Sequence, residues 1–220
     1  MKKELMTILI AVLITQSTFG QWSQQTTPAG GWYEGIHFVN ANIGWAVGWD
    51  GLIIKTTDGG QTWNTQTSGT PENLQEVYFI DQNNGWVIGD WNNLGNTLLK
   101  TTNGGSTWQL TDPDLTTKRY YEDIQFVGSS NGWIVGASCK ILHTTDGGLN
   151  WTNQSVGTTT PTLQAVFFIN TTTGWVASDD GRIWKTTDSG ANWVLQSTPT
   201  ATLGDALFDI FFVDANKGWA

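Results

Sequence analysis

Apolar residues in this chain fall in short runs separated by polar, glycine-rich turns, and the whole arrangement recurs. One kind of run is almost wholly apolar, as in Glu76-Val77-Tyr78-Phe79-Ile80 or Ala165-Val166-Phe167-Phe168-Ile169. A second starts at a Gly-Trp pair, as in Trp45-Ala46-Val47-Gly48. A third leads into a turn, as in Leu52-Ile53-Ile54-Lys55-Thr56, and a fourth leaves it, as in Trp63-Asn64-Thr65-Gln66. No window repeats its apolar residues every ~3.6 positions, so a helical repeat is excluded. The Gly-Trp pairs keep the phase: Trp45, Trp86, Trp133, Trp175 and Trp219 are 41, 47, 42 and 44 residues apart. Four short strands in each unit of about 43 residues predict a propeller blade.

Each unit closes on a similar turn. The four copies are Thr57-Asp58-Gly59-Gly60-Gln61-Thr62-Trp63, Thr102-Asn103-Gly104-Gly105-Ser106-Thr107-Trp108, Thr145-Asp146-Gly147-Gly148-Leu149-Asn150-Trp151 and Thr187-Asp188-Ser189-Gly190-Ala191-Asn192-Trp193. The glycines tolerate positive φ in a hairpin. Asp58, Asp146, Asp188 and Asn103 are placed to accept backbone N–H groups across the turn. Trp63, Trp108, Trp151 and Trp193 are expected beneath the turn or between blades. One acid per unit, spread around a ring, does not converge on a single centre. Asn103 in the second copy serves a turn about as well as a carboxylate would. The turn is therefore read as architecture.

The chain is thus predicted to be all-β, a β-propeller of four-stranded antiparallel blades, with about 4.5 blades present. The blades run over about 32–68, 73–112, 120–156 and 163–198, with an incomplete fifth at 206–220. Residues 21–27 match the run after a turn tryptophan and read as a lone closing strand. The expectation is a fragment of a larger ring.

Composition adds a compartment. Lys2 and Lys3, an apolar stretch over 5–14, and small Thr18 and Gly20 read as a signal peptide, 1–20, with Gln21 as the mature start. The stretch is too short to span about 30 Å of hydrocarbon. A secreted, periplasmic or cell-surface bacterial protein is expected, without stable membrane insertion after cleavage. The net charge is −9, and a cut that removes two lysines and Glu4 leaves −10. Such acidity repels nucleic acid. Cys139 is the one cysteine, so no internal disulfide forms, and none stands at the cut for a lipid anchor. No phosphate loop, zinc spacing or nucleophile motif occurs, so no cofactor or metal is expected.

Gly44-Trp45-Ala46-Val47-Gly48, followed by Lys55-Thr56-Thr57-Asp58-Gly59-Gly60-Gln61-Thr62-Trp63, resembles the photosystem II stability/assembly factor family of propellers. Those proteins share the turn with sialidases and other Asp-box (BNR) repeat proteins. The resemblance covers about residues 22–220. It implies a ring closed by seven blades, which needs about 100 further residues, and a non-enzymatic binding or assembly module. That family recognises photosystem components through an arginine-rich surface, whereas this chain has only Arg119 and Arg182. Its acidity and leader suit an extracellular protein or glycan partner better. The alternative is a sialidase-like glycoside hydrolase, which clamps its substrate carboxylate with three arginines and uses a Tyr nucleophile. Two arginines do not build that clamp.

Strand order puts the first-to-second strand loops and the repeated turns on one face of the ring. The second-to-third strand loops and the blade-to-blade connections lie on the other. Irregularity concentrates there: an insertion within residues 90–96, the pairs Trp49-Asp50 and Asp179-Asp180, and the connection 112–121. Variable loops on a rigid scaffold are where binding usually resides. Trp49, Asp50, Trp91, Asn92, Asn93, Arg119, Tyr120, Asp179 and Arg182 are the candidates, mixing aromatic and polar character. Lys55, Lys100 and Lys185, with His143 at the same phase, read as a solvated strand face. His37 reads as a packed or edge histidine.

Overall fold

The computed structural model describes residues 24–28, 31–89, 97–111, 120–197 and 205–220. The first blade holds β1 (Tyr33–Phe38), β2 (Gly44–Gly48), β3 (Leu52–Thr56) and β4 (Asn64–Thr67). The second holds β5 (Leu74–Phe79), β6 (Gly85–Gly89), β7 (Thr97–Thr101) and β8 (Gln109–Leu110). The third holds β9 (Tyr121–Val127), β10 (Asn131–Gly136), β11 (Lys140–Thr144) and β12 (Thr152–Gln154). The fourth holds β13 (Leu163–Phe168), β14 (Gly174–Ser178), β15 (Ile183–Thr186) and β16 (Val194–Leu195). A fifth sheet pairs β17 (Phe211–Phe212) with β18 (Gly218–Trp219). Every sheet is antiparallel in simple sequence order, so the predicted fold class stands. Residues 24–27 carry no strand. Even so, the Gln25 amide lies 3.0 Å from where a Cβ on Gly60 would stand, and Gln66 and Gln154 approach Gly105 and Gly190 in the same way. Among the described residues no helix is long and apolar enough to cross a membrane.

Every residue of β2, β6 and β14 is buried; each is an inner strand of its blade, and Trp45, Trp86 and Trp175 carry it against the following sheet. That is why they read as continuous apolar runs rather than alternating ones. The glycine of each Gly-Trp pair has a specific cause. Gly44, Gly85, Gly132, Gly174 and Gly218 each stand across the ladder from a phenylalanine: Phe38, Phe79, Phe126, Phe168 and Phe212. A Cβ on Gly85 would come 2.5 Å from the Phe79 ring. The ring lies over the bare backbone and meets a tryptophan of the preceding blade. Trp45 stacks on Phe79 at 3.5 Å between centroids, Trp86 on Phe126 at 4.1 Å, Trp133 on Phe168 at 3.5 Å and Trp175 on Phe212 at 3.7 Å. The turn tryptophan of the phenylalanine's own blade closes the other side edge-on. Phe79–Trp108, Phe126–Trp151 and Phe168–Trp193 lie 5.9, 6.0 and 6.0 Å apart.

The repeated turn satisfies itself. Asp58 Oδ1 accepts from Thr56 Oγ1 (2.8 Å) and the Thr62 N–H (2.9 Å), and its Oδ2 accepts from Thr62 Oγ1 (2.6 Å). Thr56 Oγ1 accepts the Gly60 N–H at 2.9 Å. Asn103 repeats this geometry and donates its amide to Thr107 Oγ1 at 2.9 Å. These donors hold Asp58 and Asp188 below the usual carboxylate range, and Asp146 at about 2. All of them are spent inside their own hairpins, as an architectural turn requires.

The recurrent lysines are not a solvated face. Lys55 Nζ donates to the Gly104 carbonyl (3.0 Å), Lys100 to Gly147 (2.8 Å) and Lys185 to Ala215 (3.0 Å). Gly104 and Gly147 belong to the turn of the next blade, so the cation latches one blade to its neighbour. Trp45 Nε1 and Gln66 Nε2 reach the same Gly104 oxygen at 3.3 and 3.0 Å. In the third blade His143 takes the lysine's place. Its ring stacks on Trp133 at 4.7 Å, and burial holds it below the ordinary histidine range. Among the described residues the Ser189 carbonyl then receives only Trp133 Nε1 and Gln154 Nε2, and His143 Nε2 is buried without a partner there.

Two stability changes follow. Phe79→Ala should cost about 3–5 kcal/mol in urea denaturation, since it empties the space between two tryptophans. His143→Lys should raise stability by about 1 kcal/mol by supplying the missing donor to Ser189; a lower denaturation midpoint would contradict the latch.

Candidate functional site

The two faces lie as predicted. Gly59, Gly104, Gly147 and Ser189 donate their N–H groups to Asn42, Asn83, Ser130 and Thr172, which ties each turn to the first-to-second strand loop of its own blade. On the opposite face the loop after β2 meets the link between blades: Gly51 N–H donates to Glu72 (2.8 Å) and Asp179 N–H to Thr162 (3.1 Å).

Most of the candidates on that face that fall within the described residues are already engaged. Asp50 (φ 57°) and Gly51 (φ 69°) form the tight hairpin from β2 to β3, and the Asp50 N–H donates to Asn73 Oδ1. Asp179 Oδ1 accepts the Thr162 N–H at 3.1 Å. Arg182 pairs with Asp180 and lies 5.7 Å over Trp184. Tyr120 Oη meets Thr162 Oγ1 at 3.5 Å, which brings it near Asp179. Tyr120, Asp179 and Arg182 thus share the junction of the third and fourth blades. Cys139 is there too, buried, with its thiol donating to Pro161 O and pushed up to about 11 by burial. Trp49 and Asp50 sit at the junction of the first and second blades instead. Trp91, Asn92, Asn93, Arg119 and the signal segment 1–20 lie outside the described residues.

Trp49 differs from its fellow candidates. It is 40% exposed and stacks on Trp32, which is 71% exposed, with centroids 5.5 Å apart and planes at 25°. Trp49 Nε1 donates to Glu34 Oε1 at 2.7 Å. Glu34 is the extra residue of a bulge in β1, where the register shifts between Tyr33 and Gly35. Gln75, Glu122 and Gln164 occupy the same bulge in the next three blades. Trp32 and Glu34 were not singled out from sequence. The available signal was departure from the repeat, since Trp32 stands where other units have Asn73, Tyr120 or Thr162.

The first strands of the blades line the centre, where each leaves an open edge. Side chains of the preceding blade cover it. Tyr78 Oη donates to Phe126 O (3.0 Å), while Gln125 accepts the Phe168 N–H (2.5 Å) and donates back to Phe168 O (3.4 Å). Asp123 accepts the N–H groups of Ile124 and Val166, both at 2.7 Å. His37 is half-buried beside Tyr78, ring to ring at 4.7 Å, as a packed edge histidine. These side chains, with Glu76 and Asp209, border a cleft of about 260 Å³, small for a small-molecule site.

The acids here carry raised pKa values. Burial, then the charges of Asp123 and Asp209, pushes Glu76 up to about 8, against the pull of the Val77 N–H. Burial raises Glu122 to about 7, against the Gln164 hydrogen bond and with help from Asp179 and Asp123. Burial lifts Asp123 to about 6, although two N–H groups pull it down. Both Asp123 oxygens are bound to backbone. Among the described residues no group of three or more His, Cys, Asp or Glu is placed to hold a metal ion.

The family model described as photosynthesis system II assembly factor YCF48 matches residues 14–112 and 69–202. This chain belongs to the YCF48 family. Among solved structures it is similar to "YCF48 bound to D1 peptide", at 20% identity and a TM-score of 0.69, over 89% of this chain and 61% of that one. It is also similar to YCF48 from Cyanidioschyzon merolae, at 22% identity and 0.64, over 87% and 63%. An ancestral GH74 enzyme aligns at 18% identity and 0.64, over 81% of this chain and 25% of its own. At these identities the likenesses show the fold alone. The chain spans somewhat less than two thirds of either YCF48 structure. No curated protein matches.

The raised acids give this YCF48-family chain a defined pH response. Glu76, Glu122 and Asp123 hold protons in the folded state that the unfolded chain releases near pH 4. Through these acids stability should fall as pH rises from about 4 to about 8, against the opposite pull below about pH 6.5 of His37 and His143, which burial holds below the ordinary histidine range. Thermal unfolding at pH 5 and pH 8 checks this. The Tm should be lower at pH 8, and Glu76→Gln should narrow the gap by raising the pH 8 value.

Proposed function

We propose that this chain is an exported, non-enzymatic propeller module that binds a polypeptide partner on the face away from the repeated turns. Membership of the YCF48 family carries the reading, together with a relative whose structure is described as bound to a peptide. The site supports it. The turn face is spent on its own hydrogen bonds, whereas the opposite face presents the exposed Trp32–Trp49 pair at a fixed position. Exposed, rigid aromatics of this kind anchor protein contacts. Export rests on the leader-like residues 1–20, and an acidic chain favours a protein over a nucleic acid partner.

A random peptide library displayed on phage and selected against the purified chain tests the proposal. Enriched peptides should bind in solution by calorimetry. Failure to enrich any sequence would overturn it, and turnover of fluorogenic glycosides by the purified chain would overturn it in favour of the glycoside-hydrolase alternative.

A further inference from the structure

Five tryptophans of this fold hold a cation over the ring. Lys55 lies over Trp45 at 4.8 Å, Lys100 over Trp86 at 5.4 Å, Lys185 over Trp175 at 4.9 Å, Arg182 over Trp184 at 5.7 Å and Lys217 over Trp219 at 5.7 Å. The Trp32–Trp49 pair has no such cation among the described residues, although it is the most exposed stacked pair of indoles there. The carboxylate a cation would need is already in place. Glu34 is exposed, one oxygen is pinned by Trp49 Nε1 at 2.7 Å, and the other has no partner among the described residues. Asp50 follows Trp49 in the adjoining hairpin, and the chain as a whole carries −9.

The geometry points to a docking site for an arginine-bearing polypeptide segment, its guanidinium lying on the Trp32–Trp49 pair with its edge turned to Glu34. This deepens the polypeptide-binding reading and rests on it. Arginine fits better than lysine because a planar guanidinium stacks on an aromatic face and presents paired N–H groups to a carboxylate. A sugar ring also stacks on indole, but a carboxylate at the ring edge and a net acidic chain add attraction only for a cation. The pair lies beside the bulge of β1 on the face away from the turns, so a peptide crossing it would extend toward Glu122, at the same bulge two blades on.

Calorimetry with three probes tests this: a short peptide of alternating glycine and arginine, the same peptide with citrulline for arginine, and chitohexaose. The arginine peptide should bind at least about ten-fold more tightly than the neutral citrulline peptide, and more weakly as salt rises. Trp32→Ala and Glu34→Gln should each weaken it about three- to ten-fold. Both side chains are exposed, so each variant should unfold at the wild-type temperature, which separates lost binding from lost folding. Equal affinity for the arginine and citrulline peptides, or full affinity in both variants, would overturn the site. Preferential binding of chitohexaose would overturn it in favour of a glycan. Library-selected peptides that bind without arginine and ignore Trp32→Ala would leave the polypeptide reading standing and remove this one.

Discussion

One phenylalanine clamped between two tryptophans joins each described blade to the one before it. Phe79, Phe126 and Phe168 each take a stacked indole from the preceding blade and an edge-on indole from their own. Aromatic pairs contribute about 0.5–1.5 kcal/mol beyond their buried area, and here the pair repeats at every junction. The stack also dictates sequence. The phenylalanine ring must lie on bare backbone, which makes the cross-strand residue glycine. The residue after that glycine must reach the next blade, which makes it tryptophan. The Gly-Trp pair is thus the local imprint of a contact between blades.

Polar groups complete the junctions that the rings begin. The innermost strands are open edges, and open edges invite unwanted pairing. Tyr78, Gln125 and Asp123 close them by bonding the backbone of the following blade. Further out, Lys55 and Lys100 cap a turn carbonyl of the following blade while covering the stacked tryptophan. Stability in such an array is a sum over blades and their junctions. At the third-to-fourth junction, where His143 replaces lysine, the turn carbonyl of Ser189 lacks the cation that Gly104 and Gly147 receive. Burial of Glu76 and Asp123 at the centre raises their pKa values, with the charges of Asp123 and Asp209 adding to the rise at Glu76.

What was legible in the sequence is what every blade needs. Gly-Trp and the Thr-Asp-Gly-Gly turn recur because each is required once per blade, and from them the strand number, the strand order and the two faces could be read. The lysines were misread because their partners are carbonyls of the next blade, and no local pattern shows an acceptor 47 or 49 residues away. Glu76 and Asp123 escaped notice inside strands that read as apolar. Their role depends on neighbouring strands converging, which alternation within one strand does not reveal. Trp49 was legible as an irregular loop residue, but Trp32 and Glu34 were not, since the three meet only when β1 and β2 pair.

Repetition and irregularity divide the labour. The repeated residues hold blades together, and the features that break the repeat carry the proposed docking surface. That division depends on the junction being as described. A double-mutant cycle on Trp86→Ala and Phe126→Ala, measured by urea denaturation, tests it most directly. The two losses should fall short of additive by about 1 kcal/mol or more. Strictly additive losses would show that the rings act independently, and the account of how the blades are joined would fail.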